Sequence, residues 1–193
     1  MSEGTRFVTE ETETGWRALL ELTPEASLAL KRADEEARAM RHLTVEPEHQ
    51  FLALFGDQGG ITAGVLADAG LTVGLVRELV QKRLGPGSGQ APEGRIPFSR
   101  AGMEAMDAAS RVAFGVGSPQ IGTEHLLLAM VALLKEGPVL QIIWELNGDP
   151  TVIRAGIKKS FERPPGPGED PQRPRVTGRS TGLGPMRPTH DWQ

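Results

Sequence analysis

The sequence repeats itself once at an offset of 76 residues, and this repeat is the strongest constraint on its fold. The segment 45–53 (VEPEHQFLA) returns as 121–129 (IGTEHLLLA). The pair 22–23 (LT) returns as 98–99 (FS), and three alanines spaced four residues apart recur in both copies: Ala29, Ala33 and Ala37, then Ala105, Ala109 and Ala113. A repeat of this length indicates two copies of one supersecondary unit that cover each other's apolar faces.

The apolar residues within each copy follow helical rather than alternating spacing. Thr23-Pro24-Glu25 is a favourable helix start, since Thr caps the helix, Pro suits its first turn and Glu suits its positive end. We therefore predict an all-α fold of eight helices in two pseudo-symmetric four-helix repeats. The predicted helices are Thr23–Met40, one starting near 46–48, Ala63–Ala69 and Val73–Leu84, then Arg100–Phe114, Thr123–Lys135, Val139–Leu146 and Pro150–Phe161.

Composition divides the chain around these two copies. We predict a flexible acidic segment at 1–21, repeat one at 22–84, a Gly/Pro-rich linker at 85–95 and repeat two at 96–162. Residues 163–193 are rich in Pro, Gly and Arg, with too little apolar surface to offset the entropy of ordering, so we expect a disordered tail.

Several classes of function are disfavoured by composition. The net charge of −4 argues against nucleic acid as the main partner, and the absence of cysteine excludes thiolate metal sites and thiol nucleophiles. No apolar run approaches the length that spans a bilayer, and the first residues lack a signal-peptide pattern. We expect a cytoplasmic protein with no membrane partner, no metal and no cofactor.

Two sequence motifs carry a family resemblance. The chain resembles the double N-terminal repeat of ClpC-type and ClpA-type AAA+ unfoldases over residues 22–162. The resemblance is carried by Ile96-Pro97-Phe98-Ser99 and by the later IGTEHLLLA segment, together with the degenerate copy of both upstream. The ATPase module that follows in that family has no counterpart here, because no phosphate-binding G-x-x-x-x-G-K-[ST] motif occurs in the chain. The resemblance implies a stand-alone binding domain without a motor.

In some members of the family this domain recognises phosphorylated arginine, and the resemblance implies which residues would do so here. Glu48 would act with Thr23, and Glu124 with Ser99, next to Thr123. A carboxylate binds a guanidinium through paired, charge-assisted hydrogen bonds, and a helix start with a hydroxyl binds phosphate. Each site requires the first and second helix starts of one repeat to converge.

The first copy departs from the family pattern, with Glu46-Pro47 where Gly-Thr is usual. A second carboxylate repels phosphate, so we expect the Glu124 site to be the stronger one. Both glutamates have an alternative interpretation, since an acid in the first turn of a helix is favoured by the helix dipole alone. His49 and His125 are interpreted as packed or capping residues, because a metal site needs more converging donors.

Phe98 is interpreted first as a core or groove residue. The family also uses this position in a surface that binds peptides and cyclic-peptide antibiotics.

The leading hypothesis is a non-enzymatic peptide- or protein-binding module of the Clp protease system, a receptor, adaptor or decoy whose partners are a Clp unfoldase, its substrates or its adaptors. The alternative is a protein that sequesters a small ligand such as a cyclic peptide. An enzyme is disfavoured, since no cysteine nucleophile exists and no Ser-His-Asp set is assembled by the predicted helices.

Overall fold

Each copy of the repeat forms four α-helices, which confirms the predicted all-α fold. The computed structural model describes residues 20–57, 59–89, 93–133 and 136–162. The helices in these ranges are α1 (Pro24–Ala39), α2 (Pro47–Leu54), α3 (Ile61–Asp68), α4 (Val73–Leu84), α5 (Arg100–Gly115), α6 (Thr123–Leu128), α7 (Pro138–Glu145) and α8 (Pro150–Glu162). Two short strands accompany them, β1 (Glu21–Leu22) and β2 (Gln120–Ile121).

Two departures from the predicted boundaries are more than a shift of one or two residues at a helix end. The helix predicted to run from Thr123 to Lys135 is α-helical only as far as Leu128 and continues as a π-helical segment, Ala129–Leu133. Glu21, assigned to the flexible segment, lies in β1. The predictions of flexibility for residues 1–19 and of disorder for 163–193 concern residues outside the described ranges.

Short extended segments connect the two repeats. Strand β1 pairs in parallel with β2, so that Leu22 lies opposite Ile121, and Val45 forms an isolated parallel bridge with Phe98. The extended residue before the first helix of each repeat is therefore paired with the residue before the second helix of the other repeat. Any site at these helix starts is built from both copies.

The helices form a shared core. α1 packs chiefly on α2, and α5 on α6, and each first helix carries one of the two alanine series. All six of these alanines are at most 2% exposed, which allows the close approach that their spacing predicted. The third helix of each copy crosses to the other copy, because α3 packs on α8 while α7 packs on α2 and α4.

The equivalence of the two copies extends to backbone conformation. Arg41 and Gly117, 76 residues apart, both follow a first helix with positive φ, 61° and 71°. Gly70 and Asn147 do the same after the third helices, with φ of 78° and 56°. These left-handed residues end the helices at matching positions, as C-terminal helix caps commonly do.

Candidate functional site

The helix starts converge between the repeats and not within them. The backbone N–H of Thr23 donates to the Ile121 carbonyl at 2.9 Å, and that of Ser99 donates to the Val45 carbonyl at 3.1 Å. The expected pairing of Glu48 with Thr23 and of Glu124 with Ser99 is therefore wrong. The reason is geometric: α1 has 16 residues and is about 24 Å long, so its start lies at the far end of the α1–α2 hairpin from the start of α2.

At the second motif, the Glu124 carboxylate lies over the backbone of Gly122. A Cβ atom built at Gly122 would stand 2.6 Å from Glu124 Cδ, far closer than van der Waals contact. The Glu124 side chain is 28% exposed, and no lysine or arginine of the described residues forms an ion pair with it. The glycine thus leaves room for a carboxylate that is open to solvent.

A second carboxylate adjoins this one across the repeat boundary. Thr62, on α3 of the first repeat, donates its hydroxyl to Thr123 Oγ1 at 2.9 Å. The Thr123 hydroxyl lies 3.3 Å from Asp57 Oδ2 and 3.5 Å from Glu124 Oε2. Two carboxylates are therefore held near one buried hydroxyl, an arrangement that favours a cationic group such as a guanidinium.

The start of α1 lies beside the same motif. Thr23 accepts the Ala26 N–H at 3.1 Å as the helix cap, and its own hydroxyl hydrogen has no acceptor among the described residues. The positive end of a 16-residue helix therefore faces the Ile121-Gly122 backbone, a favourable place for an anionic group. We call Glu124, Thr123, Asp57 and Thr23 the Glu124 site.

At the first motif, the corresponding place is filled by a side chain of the protein itself. Ser99, the cap of α5, donates its hydroxyl to Glu46 Oε2 at 2.6 Å, and Thr44 donates to Glu46 Oε1 at 2.8 Å. A carboxylate thus already lies at the positive end of α5. Because Glu46 replaces the glycine of the second copy, its Cβ closes the position that Glu124 adopts over Gly122.

Glu48 consequently has different surroundings from Glu124. Its residue is only 6% exposed. Burial raises the pKa of the Glu48 carboxyl above its ordinary value, and the neighbouring charge of Glu46 acts in the same direction. A hydrogen bond from the backbone N–H of Glu48 and the charge of Arg83 oppose this rise. The Arg83 guanidinium is bound to Glu145 and Gln141. The first motif therefore presents no accessible carboxylate at residue 48.

The two histidines cap and pack, as the sequence indicated. His49 Nδ1 accepts the Glu46 N–H at 2.9 Å, and His125 Nδ1 accepts the Gly122 N–H at 2.8 Å. His49 Nε2 lies 2.9 Å from His42 Nδ1, and His42 Nε2 lies 3.0 Å from the Gly85 carbonyl. This series of hydrogen bonds requires the His42 and His49 rings to be neutral, each with its hydrogen on Nε2.

Electrostatics agrees with a neutral ring at His49 and at His125. The pKa of His49 is lowered to about 4; burial is the largest cause, the proximity of the His42 ring acts in the same direction, and the charge of Glu46 opposes both. Burial also lowers the pKa of His125, against the opposing charge of Glu124. The 3.5 Å contact between His125 Nδ1 and Glu124 is therefore not an ion pair, since that nitrogen accepts a hydrogen bond. His125 Nε2 is buried with no hydrogen-bond partner among the described residues, and its ring stacks on Phe161 with 5.0 Å between the ring centroids.

Phe98 lies in an apolar groove between the repeats. The cavity has a volume of about 230 Å³. We call it the Leu22–Phe98 groove after the equivalent residues of the two copies that line it. Its remaining lining residues are Ser27, Leu30, Lys31, Asp34, Glu35, Val45, Arg95 and Ile96. The interpretation of Phe98 as a core and groove residue is consistent with this position, since it also packs on the buried core.

Sequence reasoning missed Asp57 and Thr62, and it treated Glu46 only as a departure from a pattern. Asp57 and Thr62 carry no motif of their own, and they reach Thr123 only because α3 crosses to the second repeat. The sequence showed a glutamate at position 46, but it did not show that this carboxylate accepts a hydrogen bond from Ser99. Among the described residues, no three acidic or histidine side chains are grouped so as to hold a metal ion.

The fold and these sites define a helical double-repeat binding domain. The sequence matches the Clp repeat (R) N-terminal domain over residues 21–133, and the chain belongs to this family. It is 34% identical over 135 residues to the chloroplastic chaperone protein ClpC3 of Oryza sativa subsp. japonica, covering 70% of this chain and 14% of that protein. It is likewise 34% identical over 142 residues to the chloroplastic chaperone protein ClpC of Pisum sativum, covering 73% of this chain and 15% of that protein. The chain thus spans only a small part of the curated relatives it matches.

Solved structures agree on the fold. The N-terminal domain of the chaperone ClpD from Arabidopsis thaliana aligns with a TM-score of 0.59 and 18% identity, covering 74% of this chain and 95% of that one. The Hsp104 N-terminal domain from Candida albicans aligns with a TM-score of 0.60 and 18% identity, covering 72% and 90%. The N-domain of ClpV has been solved in complex with a VipB peptide. N-terminal domains of this family act as protein-interaction modules of Clp chaperones.

Within the described ranges, no helix is long and apolar enough to cross a membrane.

Proposed function

We propose that this chain is a non-enzymatic receptor that binds protein segments for a Clp-type machine, and that its Glu124 site recognises phosphorylated arginine. The observation that carries the proposal is the Glu124 carboxylate, which lies open over Gly122 with no cationic partner among the described residues. Phosphoarginine is zwitterionic, so its receptor needs acceptors for the guanidinium beside donors for the phosphate.

Both requirements have candidate groups at this site. Glu124 and Asp57 each supply a carboxylate oxygen within 3.5 Å of the Thr123 hydroxyl oxygen. Thr23 supplies a hydroxyl and stands at the positive end of α1. Charge-assisted pairing of a guanidinium with a carboxylate and anion binding at a helix start are the two interactions that such a ligand demands. Family membership supports the broader role of a protein receptor, since homologous domains bind substrates and adaptors.

The test is a binding titration of the full chain with a fluorescent peptide that carries one phosphoarginine. Glu124→Gln keeps the shape of the side chain and removes its charge. Losing one partner of a charge-assisted pair costs about 1.5–3 kcal/mol, so affinity should fall by roughly ten- to a hundredfold. The matched control is Glu78→Gln, on an exposed position of α4, which should leave affinity unchanged.

Two further peptides define the specificity. The same peptide with unmodified arginine and one with phosphoserine should each bind more weakly, because each presents only half of the charge pattern. Equal binding by Glu124→Gln and wild type would remove the site from the proposal. If the wild type does not bind phosphoarginine, the proposed ligand is wrong, and only the proposal of a receptor for protein segments is left.

The Leu22–Phe98 groove supports a second candidate function, the sequestration of a small apolar ligand such as a cyclic peptide. Its apolar walls and its position between the repeats are the observations in favour. Screening cyclic peptides by thermal shift against wild type and Phe98→Ala would test it. A ligand that stabilises the wild type but not the variant supports sequestration, and one that stabilises both binds elsewhere.

A further inference from the structure

The Leu22–Phe98 groove is sized for side chains of a peptide. Its volume of about 230 Å³ is below the roughly 300–1,000 Å³ that is typical of pockets for drug-sized molecules. Leu30, Ile96 and Phe98 give it apolar walls. One or two large apolar side chains would therefore fill it, and an occupant with an aromatic residue suits both its size and its lining.

The chain itself approaches the described structure beside this groove. Leu22 lines the groove, and Leu20 packs on the core as a partly buried residue. Residues 1–19 come immediately before, outside the 21–133 match to the family, and they carry Trp16 and Phe7. Trp16 is six residues from Leu22, and six residues span at most about 20 Å, so the groove is within its reach if the segment turns back.

The charges at the rim of the groove suit this segment. Lys31, Arg95 and Glu35 are exposed at the rim, and none of them makes an ion pair or a hydrogen bond with another described residue. Two cationic groups against one carboxylate leave a surplus of positive charge at the rim. The Asp34 carboxylate is already engaged, since it accepts from Arg38 Nε at 2.7 Å and from the Ile96 N–H at 2.6 Å. Residues 1–19 contain four glutamates and two arginines, and three of the glutamates lie within six residues before Trp16.

We propose that residues 1–19 occupy the Leu22–Phe98 groove of their own molecule, with the Trp16 side chain inserted and the acidic residues facing Lys31 and Arg95. A segment tethered this closely is present at an effective concentration on the order of millimolar. It therefore competes with any external peptide that uses the groove. This consequence for regulation rests on the proposed function, whereas the occupancy itself does not.

Occupancy is tested by fluorescence on the full chain. The chain has three tryptophans, so Trp144→Phe with Trp192→Phe leaves Trp16 as the single emitter. We expect blue-shifted emission and weak quenching by iodide and acrylamide. Phe98→Ala in the groove should shift the emission to the red and raise quenching several-fold. Since Phe98 also packs on the core, the double charge reversal Lys31→Glu with Arg95→Glu on the exposed rim serves as a second variant that leaves the core intact.

The matched control is Phe114→Ala, which removes an aromatic ring that is 71% exposed on α5 and should leave Trp16 fluorescence unchanged. A solvent-exposed Trp16 in the starting protein overturns the proposal. So does a shielded Trp16 that neither groove variant releases, because it then packs elsewhere. Shielding that disappears on dilution would assign the segment to a second copy of the chain and also overturns the intramolecular proposal.

Competition is measured with a labelled synthetic peptide of residues 5–19 added to the full chain. Because the tethered segment blocks the groove, Trp16→Ala should bind this peptide roughly tenfold or more tightly than wild type does. Equal affinities overturn the proposal. Phosphoarginine binding at the Glu124 site should be the same in both proteins, so loss of that binding would count against the proposed function and leave the groove result unaffected.

Discussion

The two motif helices of this protein start from nearly the same sequence and end in different electrostatic states. At the second motif, Gly122 leaves the Glu124 carboxylate open to solvent. At the first, Glu46 takes the place of the glycine, and its carboxylate accepts hydrogen bonds from Ser99 and Thr44 at the positive end of α5. At the first motif, a carboxylate of the protein itself therefore fills the position that stays open at the second.

This difference shows how a pseudo-symmetric fold can keep its architecture while the surroundings of its two motifs differ. Both copies keep the histidine that accepts the N–H of the capping residue, so both helix starts are held in the same way. That hydrogen bond satisfies the backbone N–H before the helix in each copy. Under the proposed function, ligand binding would depend on the residue at position 46 or 122, where the extended backbone accommodates a side chain in both copies.

The largest expected effect comes from imposing the first motif on the second. Gly122→Glu should weaken binding of a phosphoarginine peptide about a hundredfold or more, equivalent to about 3 kcal/mol, because the new Cβ displaces Glu124 and a new carboxylate faces the phosphate. Gly122 has φ of −96°, an extended conformation open to other residues, so the fold should survive.

Gly122→Ala provides the comparison, since it adds the Cβ without a charge and should give an intermediate loss. Circular dichroism checks that both variants remain helical. Full binding by Gly122→Glu would show that the open position over residue 122 is not the ligand site.

The buried ring of His49 at the first motif predicts that the stability of the fold depends on pH. The pKa of His49 is about 4 in the folded protein and about 6.5 when unfolded, so the unfolded state binds more protons between these values. Stability is therefore complete above pH 6.5 and falls as the pH is lowered, by about 2 kcal/mol at pH 5 from His49 alone. His125 acts in the same direction, and Glu48, with its raised pKa, acts in the opposite one.

Urea unfolding at pH 7 and pH 5 measures this difference. His49→Gln should reduce the loss between the two pH values, whereas His190→Gln, in the segment outside the described ranges, should not change it. An unchanged pH dependence in His49→Gln would mean that this ring becomes protonated without cost in the folded state.

The reverse exchange at the first motif should open a site. Glu46→Gly removes the carboxylate that Ser99 binds and frees the space above residue 46 for Glu48. We expect calorimetry to show a second phosphoarginine-binding event, with affinity within about tenfold of the first, or 1.4 kcal/mol. Glu46→Gln is the matched control, because it removes the charge but keeps the side chain in place. A stoichiometry of one in Glu46→Gly would show that Pro47 or the burial of Glu48 also closes this motif.

The smallest effect is expected for Glu48→Gln. Because Glu48 is 6% exposed and lies beside Glu46, it should contribute little to binding, and affinity should stay within about twofold of wild type. Removing a buried charge whose pKa is raised should leave the free energy of unfolding at pH 7 unchanged or raise it by up to about 1 kcal/mol. A tenfold loss of affinity would instead make both motifs functional and end the distinction between them.

Much of the architecture was predictable from local signals. The spacing of Ala29, Ala33 and Ala37 identified a helix with a closely packed face, and the start Thr23-Pro24-Glu25 marked where it begins. The start of the helix at Thr123 was also predicted, but its change to π-helix after Leu128 was not. Nothing in the apolar pattern there distinguishes the two helical forms.

The candidate site was only partly predictable, because half of it comes from contacts between the repeats. The sequence indicated Glu124 and Thr123, which lie in one motif. It assigned Ser99 to them, but α1 and α5 each place their starts against the other repeat, so Thr23 is the residue that adjoins Ile121. Asp57 and Thr62 could not be assigned at all, since only the crossing of α3 brings them to Thr123.

The sequence by itself determined the repeat, the helical class and the two histidine-capped helix starts, because each depends on residues within a few turns of one another. Only the tertiary structure decided which hydroxyl meets which glutamate, that Glu46 occupies the first site, and that Leu22 and Phe98 line one groove. Those outcomes depend on the exchange of extended segments between the copies. An exchanged pairing and an unexchanged one satisfy the same local pattern, and only packing of the whole domain distinguishes them.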